Sequence, residues 1–202
     1  MKGFLKVLLI GAAALALSAS TANAATIIDF SGGQGGTITI GSNITGSSIN
    51  ISGVTIAGAP LNNGAFSVTG GLLNFDRNAN TISIVGAIPS LGITAPITLL
   101  SGDLSGGVTV ATNTGTIGSI SASGHDTKAP ALLTALGLPT TTPFAFFGFT
   151  TGFNVTGGGS PYTAISTDIT NTSVPEPGSM VLLGSGLLGL AAAARRRLAK
   201  KA

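Results

Sequence analysis

Between Thr37 and Ile56 apolar and polar residues alternate, as Thr37-Ile38-Thr39-Ile40, Ser48-Ile49-Asn50-Ile51 and Val54-Thr55-Ile56, with breaks at Gly41-Ser42-Asn43 and Ser52-Gly53. A period of two puts successive side chains on opposite faces of an extended chain, so these are half-buried strands with one apolar and one hydroxyl-rich face. Similar short segments recur at residues 66–69, 72–75, 81–85, 97–100, 108–112, 116–121, 144–149 and 153–156. Spacing of about 8 to 15 residues, with Gly, Asn or Pro at the joints, predicts an all-β body of the β-sandwich or jelly-roll type. A parallel β-helix is the rival, since the Gly/Asn/Ser-rich opening would suit one coil. Gly36-Thr37-Ile38-Thr39-Ile40 and Gly115-Thr116-Ile117-Gly118-Ser119-Ile120 echo each other, but no fixed period links them and a solenoid needs several stacked copies.

One segment departs from alternation. Pro130 comes early, Gly137-Leu138-Pro139 is a stop, and Leu132, Leu133 and Leu136 share a face, which predicts a short helix over 130–136 capping the sheet. Asp126 and Thr127 are its candidate N-caps. Residues 157–173 read as the end of the fold, with 170–173 a polar linker.

The charge balance concerns the ends. The chain of 202 residues carries a formal +3, yet residues 25–173 hold only Arg77 and Lys128 against Asp29, Asp76, Asp103, Asp126 and Asp168. A body with a net charge of −3 does not offer the basic surface that nucleic acid requires. Lys2 and Lys6 instead precede an apolar run from Val7 to Leu17 and then Ala22-Asn23-Ala24, the three-part layout of a secretory signal peptide cut by signal peptidase after translocation. Residues 1–24 are thus expected to be removed, with Ala22 and Ala24 marking the cleavage site and Ala25 starting the mature chain. The apolar run is well short of the ~20 residues a membrane helix needs.

At the other end Val174-Pro175-Glu176-Pro177 precedes an apolar stretch and then Arg195-Arg196-Arg197. Met180 to Ala194 would supply roughly 22 Å of helix at 1.5 Å per residue, so a span over 178–194 needs Gly178, Ser179 and snorkelling arginines to cross. The positive-inside rule leaves the basic tail 195–202 in the cytoplasm and residues 25–173 outside.

Pro-Glu-Pro, a Leu/Gly-rich helix and an arginine cluster in this order resemble the PEP-CTERM sorting signal, here over about residues 174–197. The resemblance implies that the partner is an exosortase, a membrane-embedded cysteine transpeptidase of Gram-negative bacteria found alongside exopolysaccharide and biofilm systems. It also implies that Pro175, Glu176 and Pro177 are recognition residues, and that the helix with Arg195, Arg196 and Arg197 holds the substrate until it is cut. The expected organisation is a signal peptide (1–24), an ectodomain (25–173) and a sorting segment (174–202). The expected location is transient anchoring in the inner membrane followed by the cell surface or the extracellular space.

Catalytic chemistry is sparse. The chain has no Cys, one His and one Glu, the last within the sorting segment. General acid–base work needs titratable groups held together, and Gly124-His125-Asp126-Thr127-Lys128 is the densest polar cluster, read as a solvated turn before the helix. Asp76-Arg77-Asn78-Ala79-Asn80 starts like a calcium loop, but Thr81 stands where Gly is required and Ala87 where the bidentate Glu belongs, which leaves a hairpin turn. Gly184-Ser185-Gly186-Leu187-Leu188-Gly189 fits a dinucleotide fingerprint only as letters, since it lies in the apolar run. Leu138-Pro139-Thr140-Thr141-Thr142 lacks the Gly of a sortase signal. No catalytic, cofactor or metal residue is expected, and the body reads as a non-enzymatic surface or matrix component associated with exopolysaccharide. A carbohydrate-binding module is the alternative, although Trp is absent, Tyr162 is the only Tyr and the phenylalanines of 144–149 read as core.

Overall fold

The alternating segments fold into ten antiparallel strands in the computed structural model, which describes residues 25–112, 116–155, 159–174, 184–187 and 189–190. They are β1 (Ile27–Gly32), β2 (Thr37–Ile40), β3 (Ile44–Ala57), β4 (Gly64–Asp76), β5 (Thr81–Ile88), β6 (Ile93–Gly102), β7 (Val108–Thr112), β8 (Ile117–Lys128), β9 (Phe144–Asn154) and β10 (Tyr162–Ser173). Helix α1 (Pro130–Ala135) separates β8 from β9.

The pairings run in a ring. β3 pairs β4, β4 pairs β5, β5 pairs β6, β6 pairs β8, β8 pairs β9 and β9 pairs β10. β10 then pairs β1, and β1 returns to β3. β2 continues the lane of β1 between β10 and β3, and β7 continues the lane of β6 along β8. Ten strands therefore occupy eight lanes of an up-and-down meander that closes as a barrel. The expected sandwich or jelly roll is replaced by a single closed sheet, and closure removes the exposed edges that two facing sheets would leave. Every pairing is antiparallel, which excludes the parallel solenoid.

Three further expectations change. Residues 170–173 are not a linker: they are the last residues of β10, the strand that closes the ring by pairing Thr172 with Ile27 through Thr167 with Gly32. Ser52-Gly53 and Gly70-Gly71 are not turns but sit at register shifts within long strands, where bulges bend β3 and β4 around the barrel. Helix α1 lies where predicted, but its N-cap is Ala129 with no side-chain cap, and Asp126 and Thr127 belong to β8.

Ala25–Val174 forms one compact unit. Its core is the barrel interior, filled by Phe30, Phe75, Phe144, Phe146, Phe149 and Phe153 among Ile and Leu side chains, together with Leu132, Leu133 and Leu136 of the helix region. An eight-lane barrel has an interior about wide enough for side chains to fill. Outward positions are hydroxyl-rich, as in Ser119, Ser121, Ser123 and Thr127 of β8, the reverse of a barrel whose lipid-facing band is apolar.

Glycine makes room for the rings. A Cβ on Gly118 would come within 2.3 Å of the Phe153 ring, and one on Gly46 within 2.2 Å of the Phe75 ring. Gly118→Ala is thus expected to cost about 1–3 kcal/mol by overpacking, measured as a lower denaturant midpoint at unchanged slope.

Candidate functional site

The period-2 register of β8 turns Ile120, Ala122, Gly124, Asp126 and Lys128 inward and Ser121, His125 and Thr127 outward. The polar cluster that reads as a solvated turn is therefore split across the barrel wall, because the strand runs on to Lys128, six residues beyond Ala122, where its apolar pattern ends. Asp126 and Lys128 are each only 4% exposed. Lys128 Nζ pairs with Asp126 Oδ1 and donates to Asn171 Oδ1 at 3.1 Å. Asn171 Nδ2 in turn donates to the carbonyls of Ile28 and Ile169, both at 3.0 Å, and the Phe144 ring centroid lies 4.6 Å from Nζ.

Burial dominates the electrostatics here. It raises the Asp126 carboxyl above its usual range, against the pull of Lys128, and lowers the Lys128 amine to about 8, against the pull of Asp126. Asp126 Oδ2 is buried with no hydrogen-bond partner among the described residues. Asn171 is not foreseen in the sequence because residues 170–173 read as a polar linker, and Lys128 reads only as part of a turn. Extending the alternation from Ile120 would have placed Asp126 and Lys128 on one inward face.

Outside the wall, Asp103 Oδ1 accepts from the backbone of Ser105 at 2.9 Å and of His125 at 3.3 Å. The hydroxyl and amide of Ser105 hold the Asp103 carboxyl below its usual range. Ser105 Oγ lies 3.3 Å and Asp103 Oδ1 4.0 Å from the same ring nitrogen, His125 Nδ1. A hydrolytic triad needs the two partners on opposite nitrogens, so these three residues do not form one. The 76–80 segment is the predicted hairpin turn: Asp76 Oδ1 accepts from Asn43 Nδ2 at 2.8 Å and from the Ala79 amide at 2.9 Å, and Asn80 takes a left-handed φ of 55°.

A carboxyl pair sits on the outer face of β1 and β10. Burial first, then a hydrogen bond and the charge of Asp168, push Asp29 up to about 6, with Thr170 Oγ1 donating to it at 3.4 Å as a partial offset. The folded state thus keeps a proton that the unfolded chain loses near 3.8. Folding takes up a proton between these values, so this contribution is fully present below about pH 4 and is lost as pH rises through about 6. NMR titration should give an Asp29 midpoint near 6, and Asp168→Asn should bring it back toward the ordinary carboxylate range.

The ends of the compact unit lie side by side. Thr26 N donates to Ser173 Oγ and Ser173 N to Thr26 O, both at 2.9 Å, while Val174 N reaches Pro143 O at 3.0 Å. Ala25, the expected first mature residue, is exposed just before this tie, and Val174 is exposed just after it. Ala22, Ala24, Pro175, Glu176, Pro177 and Arg195 to Arg197 lie outside the described residues. Of the predicted span 178–194, residues 184–187 and 189–190 are described and helical. Among the described residues no helix is long and apolar enough to cross a membrane.

A family model, the PEP-CTERM protein-sorting motif, matches residues 173–197. The match begins on the last residue of β10, so the motif follows the strand that closes the barrel without an intervening domain. A motif of this kind marks the chain as an exported protein directed to the surface or beyond, with an exosortase as its processing partner. No curated protein and no solved structure matches the chain.

Proposed function

We propose that this protein is a non-enzymatic building element of the cell envelope or extracellular matrix, delivered as a folded barrel and separated from its membrane segment by an exosortase. The observation that carries the reading is the sorting motif beginning at residue 173, directly on the closing strand. The Thr26–Ser173 tie supports it, since trimming on either side of that tie would leave the ring of strands intact. In this reading residues 178–194 hold the precursor in the inner membrane, Arg195 to Arg197 stay on the cytoplasmic side and signal peptidase removes residues 1–24. A hydroxyl-rich, nearly uncharged outer wall suits a hydrated exopolysaccharide or biofilm matrix, where it adds volume without strong ionic attraction.

Carbohydrate recognition through an aromatic platform has less support. Tyr162 is half-buried and stacked on Phe153 with centroids 5.1 Å apart, so its ring is engaged in packing. Fractionation of the tagged chain from cells with and without the exosortase tests the proposal. The barrel should leave the membrane fraction only when the enzyme is present. The same membrane-bound species in both strains would overturn it.

A further inference from the structure

Lys128 ends β8 and Asn171 lies near the end of β10, two strands kept apart by β9, yet their side chains meet inside the barrel. The two bonds from Asn171 Nδ2 to Ile28 O and Ile169 O fix the carboxamide plane and leave Oδ1 facing the lysine. Asp126 reaches the same amine through Oδ1 and has a second buried oxygen, Oδ2, without a partner among the described residues. An amine, a carboxamide and a carboxyl are thus held together among Phe144, Ile28 and Ile169, in a chain that has no cysteine for a disulfide.

We propose that Lys128 and Asn171 condense into an intramolecular amide cross-link between β8 and β10, with Asp126 as the proton carrier. This goes beyond the envelope role and does not depend on it. Proton transfer from Lys128 to Asp126 first gives a neutral amine and a neutral acid, the forms that burial favours for both groups. The Nζ lone pair attacks Asn171 Cγ, the Nζ–Cγ bond forms, and the carbonyl electron pair moves to Oδ1 as Asp126 protonates that oxygen. The resulting carboxylate takes a proton from Nζ and passes it to Nδ2. The Cγ–Nδ2 bond then breaks with its electron pair on nitrogen, ammonia leaves, and Oδ1 returns its proton to Asp126 as the carbonyl re-forms. One ammonium and one carboxamide become one secondary amide and one ammonium ion once the departing ammonia takes the proton from Asp126, with no oxidant and with the Asp126 carboxylate regenerated.

Prepositioning makes the step feasible, since fixed neighbours at contact distance replace a bimolecular encounter. The bond would enclose α1 and β9 in a covalent ring and tie the closing strand to the rest of the barrel, restricting the unfolded chain as a disulfide does.

Peptide mapping of the folded chain as it accumulates in its host tests this directly. The expected result of a chymotryptic digest is a branched peptide joining the Lys128 and Asn171 segments, lighter than their sum by about 17 Da for one ammonia, while trypsin alone leaves the chain uncut after Lys128. Recovery of both residues only in linear, unmodified peptides would overturn the proposal. So would a loss of about 18 Da confined to a peptide holding Asp126 and Lys128, which would place an amide within β8. In a refolding time course, Asp126→Asn should slow the branched product by at least about 100-fold in the molecules that fold, while formation at the unaltered rate would remove Asp126 from the mechanism.

Discussion

Replacing Lys128 with Met should lower the stability of the barrel by about 3–5 kcal/mol at neutral pH, read as the shift in denaturant midpoint multiplied by the slope. Methionine fills most of the space but leaves the Asp126 carboxylate inside the wall without its cation, and Asn171 Oδ1 without its donor. The loss should shrink as the pH is lowered. An unpaired buried carboxyl holds its proton to higher pH than the unfolded chain does, so lowering the pH supplies the neutral acid that the interior tolerates. Adding Asp126→Leu to Lys128→Met should recover the ionic part of the deficit, because removing both charges also removes the uncompensated one. These comparisons apply to freshly refolded chain in which the amide has not formed, where any deficit left in the double variant measures what Lys128 contributes through its bond to Asn171 Oδ1.

The second large effect is expected at Phe149. Its side chain is fully buried and meets Phe75 edge to face, with centroids 5.2 Å apart at 68°. Phe149→Ala should cost about 3–5 kcal/mol, since the barrel wall is tied on both sides of β9 and cannot collapse into the cavity. Phe149→Leu should lose markedly less, because it keeps most of the buried apolar volume. The contrast can be measured by equilibrium denaturation, and equal losses for the two variants would mean that the ring contact with Phe75, rather than filled volume, sets the cost.

How much of this was legible in the sequence depends on which residues carried the pattern. Where interior positions are strongly apolar, as Ile49, Ile51, Val54 and Ile56 in β3, alternation identified the strand and its inward face. Pro130 and the Gly137-Leu138-Pro139 stop located the helix to within a residue, and the 76–81 hairpin followed from its turn residues. β10 escaped because its inward residues are Ala164, Thr167, Ile169 and Asn171, of which only one is a large apolar side chain. Without β10 the ring cannot close, so the sandwich expectation followed from the same omission. Bulges in β3 and β4 added to it by making single bent strands look like pairs of short ones.

The candidate interior site was hidden for a related reason. Polar residues were read as surface, yet Asp126 and Lys128 lie two apart on a strand and therefore share a face with Ile120 and Ala122. Their third partner lies 43 residues away from Lys128, a distance that spacing motifs do not cover. The sorting segment stands at the opposite extreme: its recognition letters are contiguous, and the family model found the same stretch from residue 173 to residue 197.

Export of the barrel and its release at this segment would set both ends of the mature chain. Intact mass of the chain from cells with an active exosortase tests this most directly. The expected species begins at Ala25 and ends close to the Pro175-Glu176-Pro177 motif, without the arginine cluster. A species that runs from Ala25 past Arg195 in those cells would contradict it.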